Sequence, residues 1–326
     1  MKALVYEGIE QLALRDVAPP GPRDGEVLIR VAAVGICGSD MHAYLGHDAR
    51  RPAPLILGHE AAGTITGGPR DGERVTINPL VTCGTCPACA AGRENLCPER
   101  QIISMPPRAG AFAQYVAIPE INLVTVPDAV PLAKAALAEP LAVGWHAVRL
   151  GLAALHPGME RRALVLGGGA IGLASALALR AMGVGDVTLI EPNADRRAFL
   201  IERCGERVLA EADVPAPLIV DAVGYAATRA RASALVDPGG VIVHVGLGED
   251  DGGLDVRRMT LQEVTFIGTY TYTAQDFRDC AAALFDGRLG PLDWYETRPL
   301  SQGASAFADL RAGYVAAPKI LLDPAG

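Results

Sequence analysis

Short apolar runs, each cut off by glycine, proline or an acidic residue, dominate roughly the first 140 positions of the chain. Val27-Leu28-Ile29-Arg30-Val31-Ala32-Ala33-Val34 is one such run, and Met1-Lys2-Ala3-Leu4-Val5-Tyr6 reads as a strand. Gly-Pro, Pro-Gly and Asp-Gly pairs punctuate the rest, which predicts an irregular β-rich region. The pattern changes near Gly144. From there, wholly apolar strand-length runs at 163–166, 187–190, 218–221 and 241–245 alternate with helix-length segments such as 170–182. Apolar strands alternating with helices predict a parallel sheet covered on both faces. Beyond Tyr272 the character is mixed, with a predicted helix over 276–285 and an extended end at 319–322. This tail is expected to rejoin the β-rich region. The expected domains are therefore 1–142 with 272–326, and 143–271.

Composition narrows the class. The 326 residues suffice for two domains, half are hydrophobic, and the net charge is −8 with no dense Lys/Arg run. That balance excludes a nucleic-acid or anionic-membrane partner as the expected one. The N-terminus lacks the basic flank and apolar core of a signal peptide, and no apolar stretch is long enough for a bilayer span. A cytoplasmic location is expected. In that compartment seven cysteines are not read as disulfides.

Gly167-Gly168-Gly169-Ala170-Ile171-Gly172 fits G-x-G-x-x-G between a predicted strand and a predicted helix. Gly167 permits the tight turn, Gly169 lets backbone approach a pyrophosphate, and Gly172 lets the helix pack close to the strand. The helix start, from Ala170 and Ile171, offers free N–H groups to phosphate. Glu191 stands at the end of the next strand, where a carboxylate accepts ribose hydroxyls and repels a 2′-phosphate, so NAD is expected over NADP. Arg196 and Arg197 follow. Arg196 belongs to the candidate cofactor site, although both arginines are read first as solvated helix residues.

Two metal sites are expected. Cys83-x2-Cys86-x2-Cys89-x7-Cys97 places four thiolates on a short Gly/Pro-containing loop, a closed tetrahedral set suited to structural zinc. An iron–sulfur cluster is the weaker metal reading. The second set is dispersed: Cys37 in Gly35-Ile36-Cys37-Gly38-Ser39-Asp40-Met41-His42, then His59 and Glu60 in Gly58-His59-Glu60, then Glu139 in Ala138-Glu139-Pro140-Leu141. One thiolate, one imidazole and two carboxylates suit zinc with an open position.

In that order, the Cys-Gly-Ser-Asp turn, the Gly-His-Glu, the four-cysteine lobe, the Glu-Pro-Leu-Ala-Val and the Gly-Gly-Gly-Ala-Ile-Gly resemble the zinc-dependent medium-chain dehydrogenase/reductase family over nearly the whole chain. The resemblance implies a discontinuous GroES-like β-rich catalytic domain and a doubly wound Rossmann cofactor domain. It implies two zinc ions per chain, NAD, a small alcohol or ketone substrate, and a homo-oligomer, tetramer or dimer. Glu139, where other alcohol dehydrogenases of the family carry a cysteine ligand, is similar to the sorbitol- and threonine-dehydrogenase branch. In that branch the residues matching Cys37, His59 and Glu60 hold zinc, and the one matching Glu139 binds zinc or holds its water. Glu-Pro-Leu-Ala-Val-Gly-Trp-His leans toward polyol members. The resemblance gives Ser39 the first proton, with His42 at the surface end of the relay and Asp40 orienting His59.

Position in family-like segments makes Tyr44, Phe112 and Tyr272 candidates for the substrate-pocket wall. The chain also departs from the family. The stretches 65–74 and 210–216 are short, and 268–273 lacks an arginine that sorbitol dehydrogenases tend to carry. Alternatives are a dehydrogenase of threonine or a simple alcohol, a non-catalytic nucleotide sensor, and a zinc-finger module. The retained ligands argue against the sensor, and the acidic charge argues against the zinc finger.

Overall fold

The computed structural model describes residues 1–326. The chain divides into two compact units. One holds Met1–Glu139, Thr273–Phe285 and Tyr295–Gly326, and the other holds Pro140–Tyr272 and Asp286–Trp294. The passage between them falls inside the helix Ala138–Ala154, between Glu139 and Pro140. Proline is tolerated there because first-turn N–H groups have no partner in the helix to lose.

The first unit is built on one sheet. Its spatial order is Leu123–Thr125, Arg74–Ile77, Glu60–Thr66, Glu26–Gly35, Lys319–Asp323, Tyr295–Pro299, with Tyr115–Pro119 also paired to Glu26–Gly35. Every pairing is antiparallel except the last of the row. Along Glu26–Gly35, Ile29, Val31 and Ala33 are buried while Arg30 is exposed, the period-2 pattern of a strand with one face in the core. At its end Gly35 stands opposite both Glu60 and Leu321. This register brings the chain's tail and the Gly-His-Glu segment to one place. The four cysteines lie on a lobe closed at its base by the antiparallel pair Leu80–Val81 and Gln101–Ile102.

The second unit carries a six-stranded sheet, parallel throughout. Its order is Val208–Leu209, Asp186–Ile190, Arg162–Leu166, Ala216–Asp221, Val236–His244, Thr265–Gly268. Two of these strands have no clear sequence signal, because both are edge strands and Val208–Leu209 is only two residues long while Thr265–Gly268 mixes polar and apolar residues. Leu164, Leu166, Ile219, Leu235, Val236 and Ile242 share one core cluster. The order reverses between Arg162–Leu166 and Ala216–Asp221, and such a switch point opens a crevice at the carboxyl ends of the strands. No helix of the chain is long and apolar enough to cross a membrane.

Candidate active site

The Sγ atoms of Cys83, Cys86, Cys89 and Cys97 all lie within 4.8 Å of one another. Cys83 is 3.9 Å from Cys89 and 3.5 Å from Cys97. These separations match the edge of a tetrahedron around zinc, about 3.8 Å for Zn–S bonds near 2.3 Å. Local structure sets this up. Cys86 caps the short helix Pro87–Ala90, and its sulfur accepts the Cys89 N–H, while the Cys86 N–H points at Cys83. The N–H groups of Thr85 and Cys86 draw the Cys83 pKa down to about 6. Burial and the neighbouring Cys86 thiol push Cys89 up to about 12. Four sulfurs crowded in this way fit a resident cation.

The donor atoms of Cys37, His59 and Glu60 also lie within 4.8 Å of one another. Cys37 precedes the helix Gly38–Tyr44, and Glu60 opens the strand Glu60–Thr66. Glu60 is 1% exposed, and its Oε1 accepts a 2.7 Å hydrogen bond from Lys319, itself 3% exposed. The Lys319 ammonium also donates to the Ile36 carbonyl at 2.9 Å. Glu60 Oε2 is buried and has no partner. It sits where Gly35 leaves room, since a Cβ there would lie 2.0 Å from it. An orphaned carboxylate oxygen beside a thiol and an imidazole has the chemistry of a metal-binding donor set. Burial works against charge on Lys319, but the Glu60 and Cys37 charges outweigh it and raise its pKa. Glu139 is buried yet stands outside this donor group, near enough to contribute to the same field on Lys319.

His59 is held from behind. Its Nδ1 lies 3.3 Å from Ser104 Oγ and 3.5 Å from Asp40 Oδ1. Asp40 is fully buried and accepts the N–H groups of Cys37 at 3.0 Å and Gly58 at 3.2 Å. Burial penalises charge on His59, but the neighbouring Asp40 and Cys37 charges dominate and lift its pKa well above the ordinary value. Ser39 and His42 share the helix Gly38–Tyr44 three positions apart, hence one face, with Ser39 half-buried and His42 exposed.

In the second unit Gly167 turns the chain at φ +97°, and a Cβ on Gly172 would meet the Gly167 carbonyl oxygen at 1.8 Å. Both glycines are therefore obligatory for this turn. Gly169 precedes the helix Ala170–Ala181 with no side-chain cap and open space around it, so Ala170 and Ile171 present free N–H groups there. Glu191 accepts the Gly168 N–H at 2.9 Å and the Asn193 N–H at 2.8 Å. The carboxylate is thus pinned across the glycine turn with lone pairs to spare. The reading of Arg196 and Arg197 as solvated fails. Both are half-buried, Arg197 donates to the Glu191 and Pro192 carbonyls, and burial lowers the Arg196 pKa against the pull of Glu191.

The expected pocket wall needs correction as well. Phe112 has no exposed surface and packs on Phe307 with ring centroids 5.9 Å apart. Tyr44 packs on the same ring at 5.2 Å, and Tyr272 is 1% exposed. Aromatic area of this size is most stable in the core, and these rings lie there rather than along an open pocket wall. A cavity of about 380 Å³ in the second unit, walled by His244, Leu247 and Phe266 among others, contains none of the expected site residues. Three residues that support the Cys37, His59 and Glu60 group were missed altogether: Lys319, Ser104, and Arg51, which donates to the Ser104 carbonyl. Only the extended tail gave any signal for Lys319. Ser104 and Arg51 gave none.

Residues 23–128 match the family model for the alcohol dehydrogenase GroES-like domain, and residues 170–286 match that for zinc-binding dehydrogenases. L-galactonate-5-dehydrogenase of Escherichia coli strain K12 is 31% identical over 308 residues, covering 89% of this chain and 88% of that protein. The chain belongs to the zinc-binding alcohol dehydrogenase family. Sorbitol dehydrogenase of Bacillus subtilis strain 168 is 40% identical over 203 residues, 59% of this chain and 56% of that protein. Among solved structures, an alcohol dehydrogenase of Escherichia coli CFT073 complexed with NADH superposes with a TM-score of 0.88 at 27% identity, covering 99% of both chains. As a member of this family the chain is a zinc-dependent oxidoreductase, its fold is the GroES-like plus Rossmann arrangement, and its four-cysteine lobe is the structural zinc cluster.

Proposed function

We propose that this dehydrogenase oxidises a secondary hydroxyl of a polyol or sugar-derived acid to the ketone, with NAD as hydride acceptor. The mixed donor set carries the reading. Cys37, His59 and Glu60 converge within 4.8 Å and supply three of four tetrahedral positions, leaving one for a substrate oxygen. Glu139, on the helix Ala138–Ala154, is the fourth donor expected from the sequence, and it serves as a water-holding neighbour rather than a ligand. Two relatives support the substrate class, since both are named for polyhydroxylated carbon chains.

Zinc, when bound, would supply the Lewis acidity that eases an alcohol proton off near neutral pH, and NAD would supply the hydride acceptor. The chain's residues do the rest. The buried Asp40 charge beside Nδ1 favours the hydrogen on that side of the His59 ring, so the other ring nitrogen keeps its lone pair for a metal. Lys319 fixes Glu60 by one oxygen. Ser39 accepts the alcohol proton and passes it toward His42, which exchanges it with water from its exposed position. Gly167, Gly169, Ala170, Ile171 and Gly172 seat the pyrophosphate. Glu191, flanked by Arg196, takes the adenosine ribose hydroxyls and favours NAD. The edge strand Thr265–Gly268 is paired on one side only, which supports assembly between copies there.

An NADH-absorbance screen over polyols, aldonic acids, threonine and simple alcohols tests this. The expected result is a specificity constant highest for a secondary hydroxyl of a polyol or sugar acid, and higher with NAD than NADP. A threonine or primary-alcohol optimum would overturn the substrate class, and an NADP preference would overturn the role of Glu191.

A further inference from the structure

Ser104 is fully buried and holds a backbone φ of +75°, a conformation that residues with a Cβ rarely adopt. Glycine would sit there without strain, whereas serine adds a hydroxyl. Where that hydroxyl goes is informative. It lies 3.3 Å from His59 Nδ1, nearer than Asp40 Oδ1 at 3.5 Å. Each Asp40 oxygen already accepts a backbone N–H, from Cys37 and from Gly58.

Ser104 is in turn fixed by Arg51, which is 2% exposed. The guanidinium donates to the Ser104 carbonyl at 3.1 Å and reaches Ser104 Oγ at 3.5 Å. It also donates to the Ser39 carbonyl at 2.8 Å and to the Asp48 carboxylate at 3.3 Å. With the opposite ring nitrogen lent to a metal, Nδ1 carries the ring hydrogen, and the second lone pair of Ser104 Oγ is there to accept it while Arg51 takes the first. One buried cation therefore spans the support of the ligand histidine and the backbone of the residue that begins the proton relay.

We propose that Ser104 is a positioning residue for His59. With Arg51 behind it, Ser104 accepts the Nδ1 hydrogen and sets the ring so that the opposite nitrogen faces the metal. Arg51 couples this setting to the turn that carries Ser39. The proposal rests on the reading that Cys37, His59 and Glu60 hold the catalytic metal.

Two variants of the full chain separate the hydroxyl from the backbone. Ser104→Gly removes the hydroxyl and the strain, while Ser104→Ala removes the hydroxyl and keeps the strain. Each is loaded with zinc and titrated with a chromophoric chelator, and each is reloaded with cobalt for its visible spectrum. Both variants should hold the chelator-labile metal about 10–100-fold more weakly, with an altered cobalt spectrum and an unchanged four-cysteine site. Wild-type affinity and spectrum in either variant would overturn the proposal. The underlying reading is tested apart from it by His59→Ala, which should lose the labile metal entirely. Two metals retained in His59→Ala would refute the ligand set itself.

Discussion

The two metal-binding regions differ in how they are assembled. The cysteine lobe draws its four ligands from fifteen consecutive residues, framed by two two-residue strands and one short helix. The second set draws on a turn at Cys37 and a strand start at His59–Glu60, with support from Ser104 and from Lys319 in the chain's tail. The lobe satisfies itself, sulfur against sulfur and sulfur against backbone N–H. The dispersed set leaves one carboxylate oxygen orphaned and depends on four remote segments to hold what remains. Closed local sites stabilise structure, whereas open sites held from a distance perform chemistry.

The sharpest way to break this contrast is a mirrored pair of substitutions. Cys83 is exposed, so Cys83→Ser changes packing little while opening the lobe. Structural zinc is worth on the order of 10 kcal/mol in isolated zinc-finger peptides. The unfolding midpoint should therefore fall steeply, while the folded fraction at low temperature keeps its turnover. His59→Ala should do the reverse. Activity should fall by at least about a thousandfold, roughly 4 kcal/mol, with a midpoint loss well below that of Cys83→Ser. Calorimetry and initial rates on both variants decide the matter, and equal loss of both properties in either variant would erase the distinction.

Between these extremes stands Lys319. Removing one partner of a buried ion pair leaves an uncompensated charge, so Lys319→Met should destabilise the protein by about 3–5 kcal/mol in denaturant unfolding. The double variant Lys319→Met with Glu60→Gln should recover much of that loss, though not activity. The proton relay comes next. Ser39→Ala should slow alcohol oxidation about 10²–10⁴-fold with both metals in place, and His42→Ala should slow it less and recover as buffer concentration rises. Normal turnover in Ser39→Ala, with a deuterium isotope effect showing that hydride transfer limits the rate, would remove the relay.

The smallest effect marks a half-buried, solvent-accessible counterpart of the buried Lys319–Glu60 pair. Hydrogen bonds from Arg70, with help from Thr125, pull the Glu73 pKa down to about 2. A lowered carboxylate pKa stabilises the fold above the unfolded value, about 4.3, and that contribution is lost as pH falls toward 2. Solvent screens this pair, so Glu73→Gln should cost less than about 1 kcal/mol at neutral pH and flatten stability between pH 4 and about 2. A loss as large as that of Lys319→Met would show that burial is not what separates the two pairs.

What could be read from the sequence follows the same division. The cysteine lobe and the glycine turn are local, so spacing alone exposes them, and Gly167, Gly172 and Glu191 take up the geometry that spacing implies. The proposed ligands Cys37, His59 and Glu60 carry no mutual signal. Only their resemblance to a family put them together before the strand register did. Ser104 and Arg51 escaped both routes, because a serine after a short strand and an arginine in a basic pair look like ordinary loop residues until the fold closes over them. Tyr44 and Phe112 failed in the opposite way: their segments were recognised, but side-chain direction was not, and Phe307 from near the C-terminus claims both rings.

The central claim is that one chain holds two metals with separate duties. Metal analysis of the purified full-length protein during stepwise chelation tests it most directly, with activity and unfolding midpoint followed together. The account predicts two zinc ions per chain. The first to leave should take all activity with it and return it on re-addition, while the midpoint stays until the second is stripped. A fully active protein with one zinc per chain, or two ions that leave together with activity and stability, would contradict it.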